Sequence, residues 1–167
     1  KGKKLCIGAG LGNKIVAGKA RVLHSPSEIA KLKVGDILVT ERTDPDWDPI
    51  LKKASAIITD QGGRTSHAAI VAREVGAIAV VGTNNATQTI QDGQTITVSA
   101  ATGGIGTVYD GTLEWNETEI DISQVPAIKT KAMLILAHPD EAFDFSVLPN
   151  DGVGLMRMEF IISNSIG

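Results

Sequence analysis

Residues 62–67 read Gly-Gly-Arg-Thr-Ser-His, a run in which two flexible residues, a cation and two hydroxyls lead directly into an imidazole. The chain has three histidines, and His67 stands where an alanine-rich helix is expected to begin. The first backbone N–H groups of a helix have no partners within it. Aligned peptide dipoles add partial positive charge, so a phosphate dianion is favoured at that end. A neutral imidazole in that position offers a nucleophilic nitrogen. Gly62 and Gly63 let the backbone approach an incoming phosphate with no Cβ in the way. Arg64 can set a guanidinium on its oxygens, and the Thr65 and Ser66 hydroxyls can donate to them. The pattern therefore suggests a catalytic phosphoryl-carrier histidine, His67, with residues 62–66 stabilising the phosphate.

Other chemistries fit less well. A metal site needs further ligands on the same helix face, but the neighbouring positions are Gly63, Arg64, Ile70 and Val71, so no metal is expected. A Ser66–His67 hydrolase is disfavoured because adjacent helical residues do not face each other, and the G-x-S-x-G elbow is absent. A purely structural imidazole, capping or packing at the helix entrance, remains open. The stretch Gly12 to Ala20 resembles a P-loop but has five residues between its glycines, and Ala20 where Ser or Thr is required. "GAGLG" (Gly8 to Gly12) and "GGIG" (Gly103 to Gly106) read as turns. A carrier histidine here would thus be charged by another domain.

Short apolar runs must position this loop. "DILVT" (Asp36 to Thr40), "ASAIITD" (Ala54 to Asp60) and "AIAVVG" (Ala77 to Gly82) read as buried strands. "KIVAGKARVLHS" (Lys14 to Ser25) reads as a strand or bent hairpin, and Gln91 to Gly111 as hairpins. The two prolines of "ERTDPDWDPILKK" argue against a continuous strand there. Ala68 to Val75 is expected to be helical, with Gly76 ending it. Residues 1–115 then form one mixed α/β domain. Leu113 to Lys131, acidic and broken by Pro126, reads as a linker and hinge, with the domain boundary giving 116–131 as linker proper. Residues 132–167 read as strand, helix and strand: "AMLILA", "PDEAFDFSVL" and "DGVGLM". Such a unit cannot bury its own faces and should belong to a larger sheet or barrel.

Composition sets bounds. A net charge of −3 with 4% aromatic residues gives no nucleic-acid footprint. No apolar run approaches the roughly 18 residues of a membrane span. Cys6 is the one cysteine, so no intrachain disulfide can form and a cytoplasmic home is expected.

"GGRTSHAAIVAR" (Gly62 to Arg73) resembles the active-site signature of the phosphohistidine domain in enzymes that use or make phosphoenolpyruvate (PEP). The flanks, including Asp46 to Pro49 and "FDFSVLPNDGVGLMRMEFII" (Phe143 to Ile162), are similar to the phosphoenolpyruvate synthase branch. The resemblance implies an α/β fold: a swivelling domain of β/β/α layers, then the truncated start of a (β/α)8 barrel that binds PEP or pyruvate. A whole barrel takes about 250 residues, so the chain is expected not to turn over alone. The implied partners are an ATP-binding domain and the rest of the barrel of the same enzyme, together with a regulatory kinase/phosphorylase. ATP and Mg2+ are the implied requirements of the whole enzyme, with no cofactor expected on this stretch. The implied reaction converts ATP, pyruvate and water to AMP, phosphoenolpyruvate and phosphate. His67 matches the carrier histidine, Thr65 the threonine of regulatory phosphorylation, and Arg157 a barrel arginine that binds substrate phosphate. Alternatives are the corresponding domain of pyruvate phosphate dikinase and a phosphate-binding module without transfer chemistry.

Overall fold

The structure is a computed structural model and describes residues 2–102, 104–117, 129–136, 142–146 and 148–158. The chain divides into two compact units, Lys1–Trp115 and Asn116–Gly167.

In the first unit, seven strands close into a barrel. They are β1 (Lys4–Leu11), β2 (Ile15–Val22), β3 (Ile37–Thr40), β4 (Ala56–Thr59), β5 (Ile78–Val81), β6 (Thr95–Ser99) and β7 (Ile105–Asp110). Their order around the barrel is β1-β5-β4-β3-β2-β6-β7. β2, β3, β4 and β5 pair in parallel, and the remaining pairs are antiparallel.

Register explains why the three central runs are apolar throughout. Ile37, Ala56 and Ile78 share one rung, Leu38, Ile57 and Ala79 the next, and Val39, Ile58 and Val80 the third. Successive strand residues face opposite sides. The first and third rungs therefore join one apolar cluster with Ile96, Val98 and Val108. The middle rung joins a second cluster with Trp47, Ile50, Leu51, Ala68, Ala69 and Ala72. Parallel strands covered on both faces need apolar residues at every position. Helices, parallel strands and antiparallel strands thus stack around two apolar layers, and the expected α/β mixture is present.

Four helices occur among the described residues: α1 (Asp48–Leu51), α2 (His67–Glu74), α3 (Ala86–Thr89) and α4 (Ala142–Ser146). A 3-10 turn, Pro45–Trp47, leads into α1, with the Asp44 carboxylate accepting from the Asp46 N–H at 3.0 Å. That arrangement accommodates both prolines of the segment at helix starts, where their missing N–H costs nothing. α2 buries Ala68, Ala69, Val71 and Ala72 against the sheet. It stops at Gly76, whose φ is +65°, with Gly76 N–H donating to Arg73 and Ala77 N–H to Ala72, a Schellman ending.

Two expectations are corrected. "GAGLG" is not a turn: Gly8 and Gly10 lie inside β1, where an added Cβ would come within 2.5 Å of Val81 O and 2.7 Å of Gly106 N. Glycine there reflects close backbone approach to the neighbouring strands β5 and β7, a use of the residue that reads as a turn in one dimension. Gly106, likewise, sits within β7. The expected linker also begins too early. The Leu113 N–H donates to Thr97 Oγ1 at 3.0 Å, tying residue 113 to the barrel. Residues 118–128, most of that linker, lie outside the described residues.

The second unit contains β8 (Leu134–Leu136), α4 and β9 (Val153–Met156), with β8 and β9 paired in parallel. Ile135, Val153, Leu155 and Met156 are exposed.

Candidate functional site

The site lies beyond the carboxyl ends of β3 and β4, the end at which parallel sheets present loops for ligands. The Asp60 N–H donates to Thr40 O at 3.1 Å and the Gln61 N–H to Glu41 O at 2.8 Å, extending the ladder past both strands. Asp60 is buried, and its carboxylate accepts from the Thr87 N–H at 3.0 Å and from the Thr83 and Thr87 hydroxyls. The loop then turns at Gly62, where φ is +103° and an added Cβ would lie 2.9 Å from Ser66 Cβ. The Gly62 carbonyl in turn packs against Gly82, leaving 2.6 Å for any Cβ there. The Ser66 N–H donates to Gly63 O at 2.9 Å, and the Ile70 N–H to Ser66 O at 3.0 Å, which opens α2.

His67 is the first residue of α2, and its side chain is 24% exposed. The ring is therefore neither sealed in the interior nor loose in solvent. Thr43 Oγ1 lies 3.2 Å from Nδ1. Asp48 Oδ1 lies 3.0 Å from Nε2, but the pair is not aligned as a hydrogen bond. Ser66 occupies the N-cap position without capping: its hydroxyl makes no bond to the helix. Among the described residues, the buried side-chain oxygens with no hydrogen-bond partner are Ser66 Oγ and Asp48 Oδ1. Folded proteins rarely leave such atoms unsatisfied. Both belong to this site.

A recess of about 180 Å3 beside the loop is lined by Arg42, Thr43, Thr59, Gln61, Gly62 and Ser66, with Ala68 behind them. A larger groove of about 570 Å3, which includes Lys4, Ile15, Tyr109 and Trp115, shares no residue with it.

The expected phosphate-stabilising set is only partly assembled. Gly62, Gly63, Ser66 and His67 come together on one turn and helix start. Thr65 is exposed on that turn. Arg64 is exposed too, but its Nη2 donates to Gly104 O at 3.0 Å, so the guanidinium is held towards the β6–β7 connection. Arg157 lies in the second unit, just after β9, where its N–H donates to Leu136 O at 2.9 Å. Sequence reasoning gave no role to Thr43, Asp48 or Arg42. The signal was the Arg-Thr-Asp-Pro-Asp-Trp-Asp-Pro segment (Arg42 to Pro49), whose cation, hydroxyl and carboxylates come just after a buried strand.

Residues 32–103 match the family described as "PEP-utilising enzyme, mobile domain". The chain carries a PEP-utilising enzyme mobile domain. Across 166 residues, 99% of its length, it is 53% identical to a protein named phosphoenolpyruvate synthase from Aquifex aeolicus, covering 19% of that protein. It is 50% identical to the Escherichia coli protein of the same name over 166 residues, covering 21% of it. The archaeal counterpart from Aeropyrum pernix is 45% identical over 92% of this chain and 20% of its own. The chain thus spans about one fifth of the length of these relatives. The mobile domain's match encloses β3, β4, β5, α2 and every residue around His67 named above.

Proposed function

We propose that this chain is the phosphoryl-carrier stretch of a phosphoenolpyruvate synthase (pyruvate, water dikinase). In that reading His67 takes phosphate derived from ATP in one domain and carries it to pyruvate in another. The observation that carries it is His67 as the first residue of α2, partly open, beside an uncapped helix start. The unpartnered N–H groups and the helix dipole favour a dianion there. Thr43 engages Nδ1, and Nε2, beside Asp48 Oδ1 at rest, is the nitrogen that forms the N–P bond. Phosphoryl transfer asks chiefly for alignment and charge stabilisation, and separate domains supply these at each end while the carrier swings between them. The 116–131 stretch is the proposed hinge.

Gly62, Gly63, Thr65 and Ser66 serve as the phosphate-binding turn. Arg64 joins them by releasing the Gly104 carbonyl, and Arg42 adds a second cation from the recess wall. Thr65, exposed two positions before the carrier, suits a regulatory kinase/phosphorylase. Residues 132–167 begin the PEP/pyruvate (β/α)8 barrel, with Arg157 on substrate phosphate. ATP and Mg2+ belong to the neighbouring domains. Among the described residues no group of three or more His, Cys, Asp or Glu could hold a metal ion.

The test mixes the chain with the ATP-binding domain of a homologous synthase and ATP labelled in the transferable phosphates. Acid-labile, base-stable label on His67, absent from His67→Ala, is expected. No label on the wild type, or equal label on the variant, overturns the reading.

A further inference from the structure

We infer that Asp48 is a specificity-determining guard on His67. At rest its carboxylate takes the place and the charge of a phosphoryl group beside Nε2, and that nitrogen is charged only after the side chain has turned away. This rests on the reading of His67 as the carrier. Asp48 Oδ1 lies 3.0 Å from Nε2, covered and without a hydrogen bond. The oxygens of a phosphoryl group bonded to Nε2 would crowd round that nitrogen at a similar distance, so the two cannot share the space. Charge opposes them as well, because anions a few ångströms apart repel each other. A carboxylate so close also favours a proton on Nε2, and a protonated imidazole nitrogen has no electron pair to give.

The backbone holds still while the side chain is free to leave. Asp48 opens α1, and Trp47, Ile50 and Leu51 beside it are buried in the same apolar cluster as Ala68, Ala69 and Ala72 of α2. The Asp48 side chain is 42% exposed although Oδ1 is covered, so the rest of it already meets solvent. A turn about its own Cα–Cβ bond therefore clears Nε2 without moving either helix. Oδ1 has no hydrogen bond to break on leaving, and solvent would satisfy an oxygen that is unpaired at rest.

With the carboxylate withdrawn, the ring gives its Nε2 proton to water and takes one from water on Nδ1. Thr43 Oγ1, 3.2 Å away, can accept the hydrogen bond that Nδ1–H then donates. Nε2 now carries a free in-plane pair, which forms the N–P bond. The P–O bond of the phosphoric anhydride donor breaks, and its electron pair leaves on the departing oxygen. The Nδ1 proton stays, so no base is needed at the reacting nitrogen. A free anionic donor meets the guard in place, whereas a docked domain can draw it off by offering the carboxylate a cation or N–H groups.

The test uses the full chain with phosphoramidate as the free donor, label on His67 being corrected with His67→Ala. Asp48→Asn keeps the shape and removes the charge, and its labelling should rise on the order of tenfold. The gain should be smaller when the ATP-binding domain delivers the phosphate. Added salt should speed the wild type more than Asp48→Asn, because screening weakens the repulsion, and Asp48→Glu should restore slow, salt-dependent labelling. In wild type carrying carboxyl-13C aspartate, charging His67 should shift the Asp48 signal. Asp48→Asn labelled no faster than wild type, equal gains with both donors, or an Asp48 signal that charging leaves in place would overturn the assignment. Failure of the carrier reading shows differently: phosphoramidate labels Asp48→Asn faster as stated, yet no label reaches the wild type from the ATP-binding domain.

Discussion

His67 could be picked out from its own sequence neighbours because the cue is local: a flexible turn, two hydroxyls and a helix start in six consecutive residues. Its two partners could not, since Thr43 is 24 residues away and meets the ring only through the parallel pairing of β3 and β4. Arg64 is a local candidate of another kind, since its side chain is turned to Gly104 O and has to leave that carbonyl to meet a phosphate. Replacing Thr43 by Val removes one hydroxyl contact worth about 1 kcal/mol. Labelling of His67 should therefore slow about fivefold and the melting temperature fall by a few degrees, which a paired kinetic and thermal assay would check. Gly62→Ala acts on the backbone: at φ +103° and with Ser66 Cβ 2.9 Å away, it should cost roughly 1–3 kcal/mol in denaturant unfolding and disturb the His67 ring signals. Cys6 is a quieter case. Burial first, then the negative charge of Asp60, pushes its thiol up to about 11. Alkylation at neutral pH should be negligible in the folded protein and rapid in denaturant; equal rates would show an open barrel.

At the scale of elements, the Val, Ile and Leu runs marked β3, β4 and β5 well, because strands covered on both faces are apolar except for Thr40 and Thr59 at their carboxyl ends. The glycine-containing end of β1 was missed because its glycines answer to partners near residues 81 and 106, which no local window contains. α3 was missed as well: it is one turn long, and its start is held by Thr83 Oγ1 and by the distant Asp60 carboxylate. That carboxylate couples α3 to the loop carrying His67. Asp60→Ala leaves the Thr87 N–H and two hydroxyls without their acceptor in a buried setting. A loss of about 2 kcal/mol is expected, measured by urea unfolding, with the backbone signals of residues 61–66 shifting too. An unchanged midpoint would mean that water replaces the carboxylate.

For the molecule as a whole, surface charge sets the acid limit. Glu28 is lowered to about 2, first by the Lys31 ammonium and then by the His24 and Ser25 N–H groups, as part of the capping box that starts the Pro26–Lys31 turn. A depressed carboxyl stabilises the fold above its unfolded value and loses that contribution as the pH falls. Wild type should thus melt higher than Glu28→Gln near neutrality, and the two should converge between about pH 4.5 and 2. Asp36 acts in the same sense: despite opposing burial, the Lys33 N–H and the Arg21 guanidinium lower it. The seam of the barrel has a kinetic consequence. β1 is made first, yet its ladder mates are β5 and β7, the latter ending at Asp110. Nucleation cannot be sequential from the N-terminus. A nascent chain must hold Lys4–Leu11 unpaired until β5 has left the ribosome, and Lys4–Gly8 until β7 has, and such long loop closure slows folding. Refolding should be correspondingly slow, and a ribosome-stalled chain ending before β7 should remain protease-sensitive over Lys4–Gly8, the part of β1 that only β7 pairs.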